Sequence, residues 1–330
     1  MSKVHGFNVL KIISATLIVF HHYQQVFDVV YSHVNFYSGH FNFGYLVELF
    51  FIISGFLTLY SDKVRGGTEC KLFHKLLRFF PMAAVACAFT LILKSVRASN
   101  IEALWNVKTL FANFFLVFSG WPFFSMMGIN NPTWYLCVLV QCYLVYYLVR
   151  FFARKLKINR IWFDASVIVL VFILYRYNLV EESSYRGIGA YSVGLILCNV
   201  KDRIPKRKGA ASLLLVLSIA LLIALPSHQR RILTYMTYPV LIMFCLWCDG
   251  KISEGKEKVL ELLGKMSFEV YIWHYPVMAL EQMFLRVSGF EVQRSYLSMA
   301  IFMLMVWLLA YPLYRYVEVP INIMVKEKLS

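Results

Sequence analysis

The sequence predicts an all-α polytopic membrane protein, a bundle of about ten transmembrane helices with both termini in the cytoplasm. Three observations predict it. Hydrophobic residues fill 60% of the 330 positions and charged residues only 15%, a balance no ordinary soluble domain has. About ten apolar runs are long enough, or nearly long enough, to cross a bilayer. With the N-terminus placed inside, 24 of the 33 Lys and Arg residues fall on the cytoplasmic side, which is the positive-inside bias.

The runs lie at residues 8–27, 43–60, 76–94, 133–150, 161–176, 187–200, 211–226, 231–248, 267–285 and 296–317. Basic clusters at 63–78, 150–160, 201–208 and 251–265 separate them at the expected inner ends. The net charge of +15 is therefore read as topology and not as a nucleic-acid surface. Residues 95–132 hold Leu110–Phe118, too short to span, followed by a Gly120-Trp121-Pro122 break, so this stretch is expected outside as an interfacial or re-entrant segment. The first run lacks a small-residue cleavage site and is expected to be retained. No linker, repeat or separate soluble segment divides the chain, which predicts one membrane domain over 1–330. Seven cysteines mostly sit inside apolar runs as small hydrophobes, and Cys245-x-x-Cys248 lacks further ligands at zinc spacing, so neither a disulfide framework nor a metal is expected.

Run one, FNVLKIISATLIVFHHYQQVF, carries Lys11, His21 and His22 at depths where such groups are costly. The eleven-residue spacing puts Lys11 and His22 on nearly one face, about 16 Å apart along the axis. A neutral imidazole in a desolvated cleft is a good general base for a hydroxyl. Taken alone, paired histidines at a helix end read more readily as interfacial residues that snorkel. Run two places Glu48 near its outer end, to orient a neighbouring imidazole or to face solvent, and its Ser54-Gly55 reads as a close-packing signal. Run three opens His74-Lys75-Leu76-Leu77-Arg78-Phe79-Phe80-Pro81, whose cations suit either phosphates or anchoring at the inner surface. Run four begins Asn131-Pro132-Thr133-Trp134-Tyr135-Leu136, with aromatics at belt depth and Gln141 further in.

The runs from 161 to 248 supply span and loop charge and no candidate chemistry. Run nine, Ser267 through Pro276, holds His274 at a depth that faces protein or water, where alone it reads more readily as a satisfied packing histidine, with Pro276 freeing a backbone carbonyl. Run ten ends Tyr314-Arg315-Tyr316-Val317-Glu318-Val319-Pro320, where Arg315 and Glu318 are three apart and are expected to pair.

In order along the chain, these stretches resemble the acyltransferase-3 family of integral membrane O-acyltransferases. The anchors are the Lys11–His22 spacing, Glu48 through Leu57, Arg78-Phe79-Phe80-Pro81, Trp134-Tyr135-Leu136, Ser267 through Pro276, and Tyr316 through Pro320. The family pattern has an arginine where this chain has Lys11, and lysine keeps the charge without the bidentate fork. The resemblance implies an acyl-CoA donor, usually acetyl-CoA, presented from the cytoplasm. It implies an acceptor hydroxyl on a cell-surface or lipid-linked glycan approaching from outside. His22 is then the catalytic residue and His21 a bystander, with Glu48 beside it, Lys11 and Arg78 on the donor, and Trp134 and His274 toward the acceptor. No metal and no nucleic acid enter, membrane lipids surround the bundle in the cell membrane, and assembly of several copies stays open. Two rival readings are a transporter or flippase for a lipid-linked sugar or other envelope substrate, and an inactive structural partner in an envelope complex.

Overall fold

The computed structural model describes residues 5–64, 72–97, 101–121, 126–203, 208–224, 232–248 and 254–329. Every regular element among them is helical. The helices are α1 His5–Phe27, α2 Leu46–Val64, α3 Leu72–Arg97, α4 Ile101–Trp105, α5 Val107–Phe114, α6 Trp134–Leu156, α7 Arg160–Arg176, α8 Glu182–Val200, α9 Lys208–Ala224, α10 Tyr238–Cys248, α11 Glu254–Ser288, α12 Tyr296–Leu313 and α13 Val319–Leu329. Short 3₁₀ turns lead into α2 and α6, and π-helical turns precede α10 and follow α12. The described residues of each apolar run lie on these helices or on the 3₁₀ and π turns joined to them. Among the described residues, four helical stretches are long and apolar enough to cross a membrane by length and composition: Phe43–Val64, Phe79–Val96, Asn131–Leu156 and Tyr296–Met324.

Two differences from the sequence reading have physical causes. The ninth run was expected from 267, but α11 starts at Glu254 and continues for 35 residues. Its first three turns, EGKEKVLELLGK, are helical yet too polar for an apolar-run search to find. Arg315 and Glu318 do not pair. The π-helical turn over Tyr314–Glu318 changes the angular spacing, leaving Arg315 exposed while Glu318 is buried and accepts from Asn322 Nδ2.

The core is organised around α2 against α8 and α6, and around α1 against α11 and α12. The first contact depends on two glycines that meet backbone to backbone. A Cβ on Gly55 would lie 2.1 Å from the Tyr191 carbonyl oxygen, and one on Gly194 would lie 2.0 Å from that of Ile52. Small residues allow this approach where lipid offers no hydrophobic drive between helices. It fixes the expected packing role of Gly55 and sets α2 and α8 side by side.

The bundle has a basic end and a histidine end. At the basic end Asp62 of α2 accepts from Tyr146 and Arg150 of α6, Arg160 lies 4.2 Å over the Tyr146 ring, and Lys63 donates to the Cys198 carbonyl. At the other end, residues 28–42 fold back over α1. Buried Gln24 accepts from the backbone of Phe36 and Tyr37 and donates to Asn35. The Tyr31 hydroxyl there is pushed up to about 12 by burial and by its tyrosine neighbours. In the 95–132 stretch α5 spans eight residues and packs on α3.

Candidate functional site

Helix α1 turns both of its paired histidines into protein. His21 is 5% and His22 9% exposed, so neither is the interfacial, snorkelling residue that a helix-end pair suggests. They do different things. Nδ1 of His21 donates to the Phe36 carbonyl at 3.1 Å, and its Nε2 lies against Gly44, where an added Cβ would sit 2.9 Å away. His21 thus pins the folded-back loop to the start of α2. Nδ1 of His22 is 3.0 Å from Gln25 Oε1, one turn on along the helix. An amide oxygen only accepts, so the proton sits on Nδ1 and Nε2 keeps its lone pair. That is the tautomer a general base requires.

His22 is enclosed by α11. Its ring stacks on His274 with centroids 5.2 Å apart and an interplanar angle of 22°, and Tyr275 meets both rings edge-on at 5.3 Å. His274 is fully buried, and its ring reaches the backbone of Val270 and Tyr271, one turn back on the same helix, without a well-aligned hydrogen bond. Pro276 places this pair: it has no N–H for the carbonyl four residues back, Ile272, and Asn130 Nδ2 supplies the missing donor at 3.0 Å. The Tyr271 hydroxyl donates to the Pro132 carbonyl nearby, so the turn that opens α6 is docked onto the broken stretch of α11.

Glu48 and Trp134 lie together beside this group. Glu48 is buried and takes Arg186 of α8 in a bidentate pair, Nε–Oε1 2.8 Å and Nη2–Oε2 3.1 Å. The imidazole partner of Glu48 that the helix neighbourhood suggested is not what its oxygens hold: His22 donates its Nδ1–H to Gln25 and the carboxylate is occupied by the guanidinium. Trp134 lies under Arg186, ring to guanidinium 5.0 Å. The Arg186 charge acts on His21 through space, and its Nη2 also reaches the Gly44 carbonyl at 3.5 Å.

Two cavities approach the histidines from opposite ends. One of about 370 Å³ opens at the basic end between α1, α2, α6 and α11, with Asn8, Lys11 and Lys265 along it and Phe50, Tyr135 and Tyr271 at its deep side. Tyr271 is 6.0 Å, ring to ring, from His274. Lys265 is paired with Glu261 at 2.8 Å, a hydrogen bond that raises its ammonium above the ordinary value and keeps it charged. Ser54 also lines this cavity, and its hydroxyl is shared with Tyr135 at 2.9 Å. The second, also of about 370 Å³, opens at the histidine end beside Asn131, Trp134, Glu181 and Arg186. Asn131 hydrogen-bonds Tyr275, which touches His22. The side chain of Arg78 lies outside the described residues.

The structure therefore gathers His22, His274, Glu48 and Trp134 into one neighbourhood and puts Lys11 on the cavity that leads to it. Sequence reasoning missed Gln25, Tyr275, Asn130, Asn131, Lys265 and Arg186. Gln25 carried a usable signal, three residues from His22 on the same helix. Arg186, among nine basic residues expected outside, stood in an otherwise uncharged stretch, SYRGIGAYS, and so was also open to notice. Among the described residues no group of His, Cys, Asp and Glu is placed to hold a metal ion.

No curated protein and no solved structure matches the chain. The family model described as an acyltransferase domain matches residues 4–315, nearly the whole length. Buried imidazoles between two opposed cavities agree with such chemistry, and the chain belongs to the acyltransferase-3 family of membrane acyltransferases.

Proposed function

We propose that this protein transfers an acetyl or other short acyl group from acyl-CoA to a hydroxyl of a cell-surface or lipid-linked glycan, with His22 as general base. The observation that carries the reading is the unbroken line of contacts from the basic cavity to the histidine-end pocket: Tyr271, His274, His22, Tyr275, Asn131. A two-substrate transfer between compartments needs such a line, with the reacting groups at its middle.

The donor's phosphates dock on Lys11 and Arg78, with Lys265 beside them, and its pantetheine arm runs up the cavity. The distance of about 16 Å from Lys11 to His22 suits such an arm. The acceptor oxygen attacks the thioester carbonyl carbon while its proton passes to His22 Nε2. The tetrahedral intermediate collapses, the C–S bond breaks, and His22 returns the proton to the departing sulfur. The products are the O-acyl ester and free thiol. Glu48 is a positioning residue in this scheme: it holds Arg186 over Trp134, where the fixed cation offsets developing negative charge. Trp134 and His274 line the acceptor's approach. The reading includes ten spans in the cell membrane with both termini cytoplasmic.

His22→Ala in folded, purified protein is expected to abolish acceptor-dependent thiol release from acetyl-CoA, while the variant keeps its melting temperature within a few degrees. Unchanged thiol release would remove the central claim.

A further inference from the structure

On α2 the Ser54-Gly55 step gives one residue to the bundle and the other to the basic cavity. Gly55 is packed against the Tyr191 carbonyl of α8. A helix turns 100° per residue, so Ser54 is rotated off that contact and lines the cavity between α1, α2, α6 and α11. Thr58 and Ser61 continue its face at the i+4 and i+7 positions toward the cationic mouth. The walls around these hydroxyls are apolar, with Phe50, Ile53, Leu57, Leu136 and Leu139 among them.

The Ser54 hydroxyl is shared with that of Tyr135 at 2.9 Å. Each hydroxyl brings one proton and two lone pairs, and one proton is used between the two oxygens. Whichever oxygen donates, the pair keeps one O–H and several lone pairs for a third group. Tyr135 is held in place, its ring 4.5 Å from that of Phe51 and 5.7 Å from that of Tyr271. Tyr271, the next hydroxyl inward, gives its own proton to the Pro132 carbonyl. A polar group carried between apolar walls is stable only where it meets a hydrogen-bonding partner, and the Ser54–Tyr135 pair is such a partner at the deep end. One O–H to donate and lone pairs to accept are the complement of a secondary amide, with its one carbonyl and one N–H.

Tyr135 and Tyr271 stand between the pair and His274, with successive ring centroids 5.7 and 6.0 Å apart. The pair therefore lies on the order of 10 Å from the imidazole. In an extended acyl-CoA arm the two amide nitrogens stand about 5 and about 10 Å from the thioester carbon. With the thioester at the histidines, the farther amide comes level with the pair. We propose that the Ser54–Tyr135 hydroxyl pair clasps that farther pantetheine amide and so sets how far the acyl group reaches. The inference rests on the acyl-CoA reading above. Both residues bind the donor's arm and neither touches the reacting atoms.

The test is isothermal titration of the full chain in neutral detergent with two probes: coenzyme A, and its adenosine bisphosphate head group, which lacks the arm. Ser54→Ala and Tyr135→Phe are each expected to weaken coenzyme A about three- to tenfold, the range of one net hydrogen bond, and to leave the affinity of the head group unchanged. Ser54→Thr keeps a hydroxyl and should bind as wild type. Unchanged coenzyme affinity in both hydroxyl-free variants overturns the proposal. Equal weakening of the two probes, which marks a structural effect, also overturns it, as does failure of wild type to bind coenzyme A. In thiol release from acetyl-CoA on the same samples the losses should appear in KM, and a fall in kcat at unchanged KM would place the pair at the reacting carbonyl and defeat the clasp. That assay also separates the two readings. Hydroxyl-dependent coenzyme binding without turnover counts against the transferase alone, and turnover with coenzyme binding indifferent to both hydroxyls counts against the clasp alone.

Discussion

At the scale of single residues, the state of the proposed base is decided by Gln25. Its amide oxygen takes the Nδ1 proton of His22 at 3.0 Å and so fixes both the tautomer and the ring angle. Truncation to alanine removes one net hydrogen bond of about 1 kcal/mol, and lets the ring sample the unproductive tautomer. Gln25→Ala is therefore expected to lower kcat roughly five- to tenfold, the rate equivalent of about 1–1.4 kcal/mol, with the donor KM unchanged. Gln25→Glu, which keeps an acceptor at the same reach, should recover most of the rate. A purely structural role would move KM and the melting temperature as well, and steady-state kinetics on the two variants tells them apart. His21 has the same chemistry and a different fate, since its nitrogens are given to Phe36 and to the close approach of Gly44. Identity of residue type did not separate these two histidines; the partner of each nitrogen does.

At the scale of elements, two helix pairs hold the site, and each can be broken and repaired on paper. In α11, Asn130→Ala leaves the buried Ile272 carbonyl without a donor, a cost of about 1–3 kcal/mol. Pro276→Ala restores the helix's own N–H at that carbonyl. The double variant should be more stable than Asn130→Ala alone, read as a gain in melting temperature, and additive losses would mean that Asn130 acts elsewhere. Between α2 and α8, Glu48→Gln strands the Arg186 cation and is expected to cost about 3 kcal/mol or more. Adding Arg186→Met removes the stranded charge and should restore the fold without restoring transfer, because the fixed cation is gone. Recovery of full activity in that pair would sink the role given to Arg186. These couplings were the least legible part of the sequence. Pro276, Gly55 and Glu48 each announced a need for a freed carbonyl, a close neighbour or a partner. Their answers, Asn130, Gly194 and Arg186, stand more than a hundred residues away, and periodicity carries no information about which helices touch. Lys11 and His22 were legible as a pair because one helix carries both and its pitch fixes their relation.

At the scale of the whole molecule, the distribution of charge and the position of the site make one statement about orientation. The basic end gathers Lys11, Lys63, Arg150, Arg160 and Lys265 through contacts the sequence could only sum by loop. The second pocket, lined by Glu181, Glu182 and Arg186, sits at the other end. If lysine- and arginine-rich ends stay cytoplasmic, the basic cavity faces the compartment that contains acyl-CoA and the second pocket faces away from it, which is the orientation the proposed transfer requires. Residues 177–181 and 201–203 probe this directly, because α8 joins them and they lie at its opposite ends. Single cysteines at Asn178 and Arg203, both exposed, in a background where the native cysteines are replaced by alanine or serine, report which side each occupies. An impermeant maleimide added to intact cells should label Asn178→Cys and spare Arg203→Cys, and permeabilised cells should label both. The reverse pattern would put the donor cavity outside, where no coenzyme waits, and would defeat the assignment of either cavity. Labelling of both positions in intact cells would mean that α8 does not cross the bilayer, and with it the ten-span count would fall.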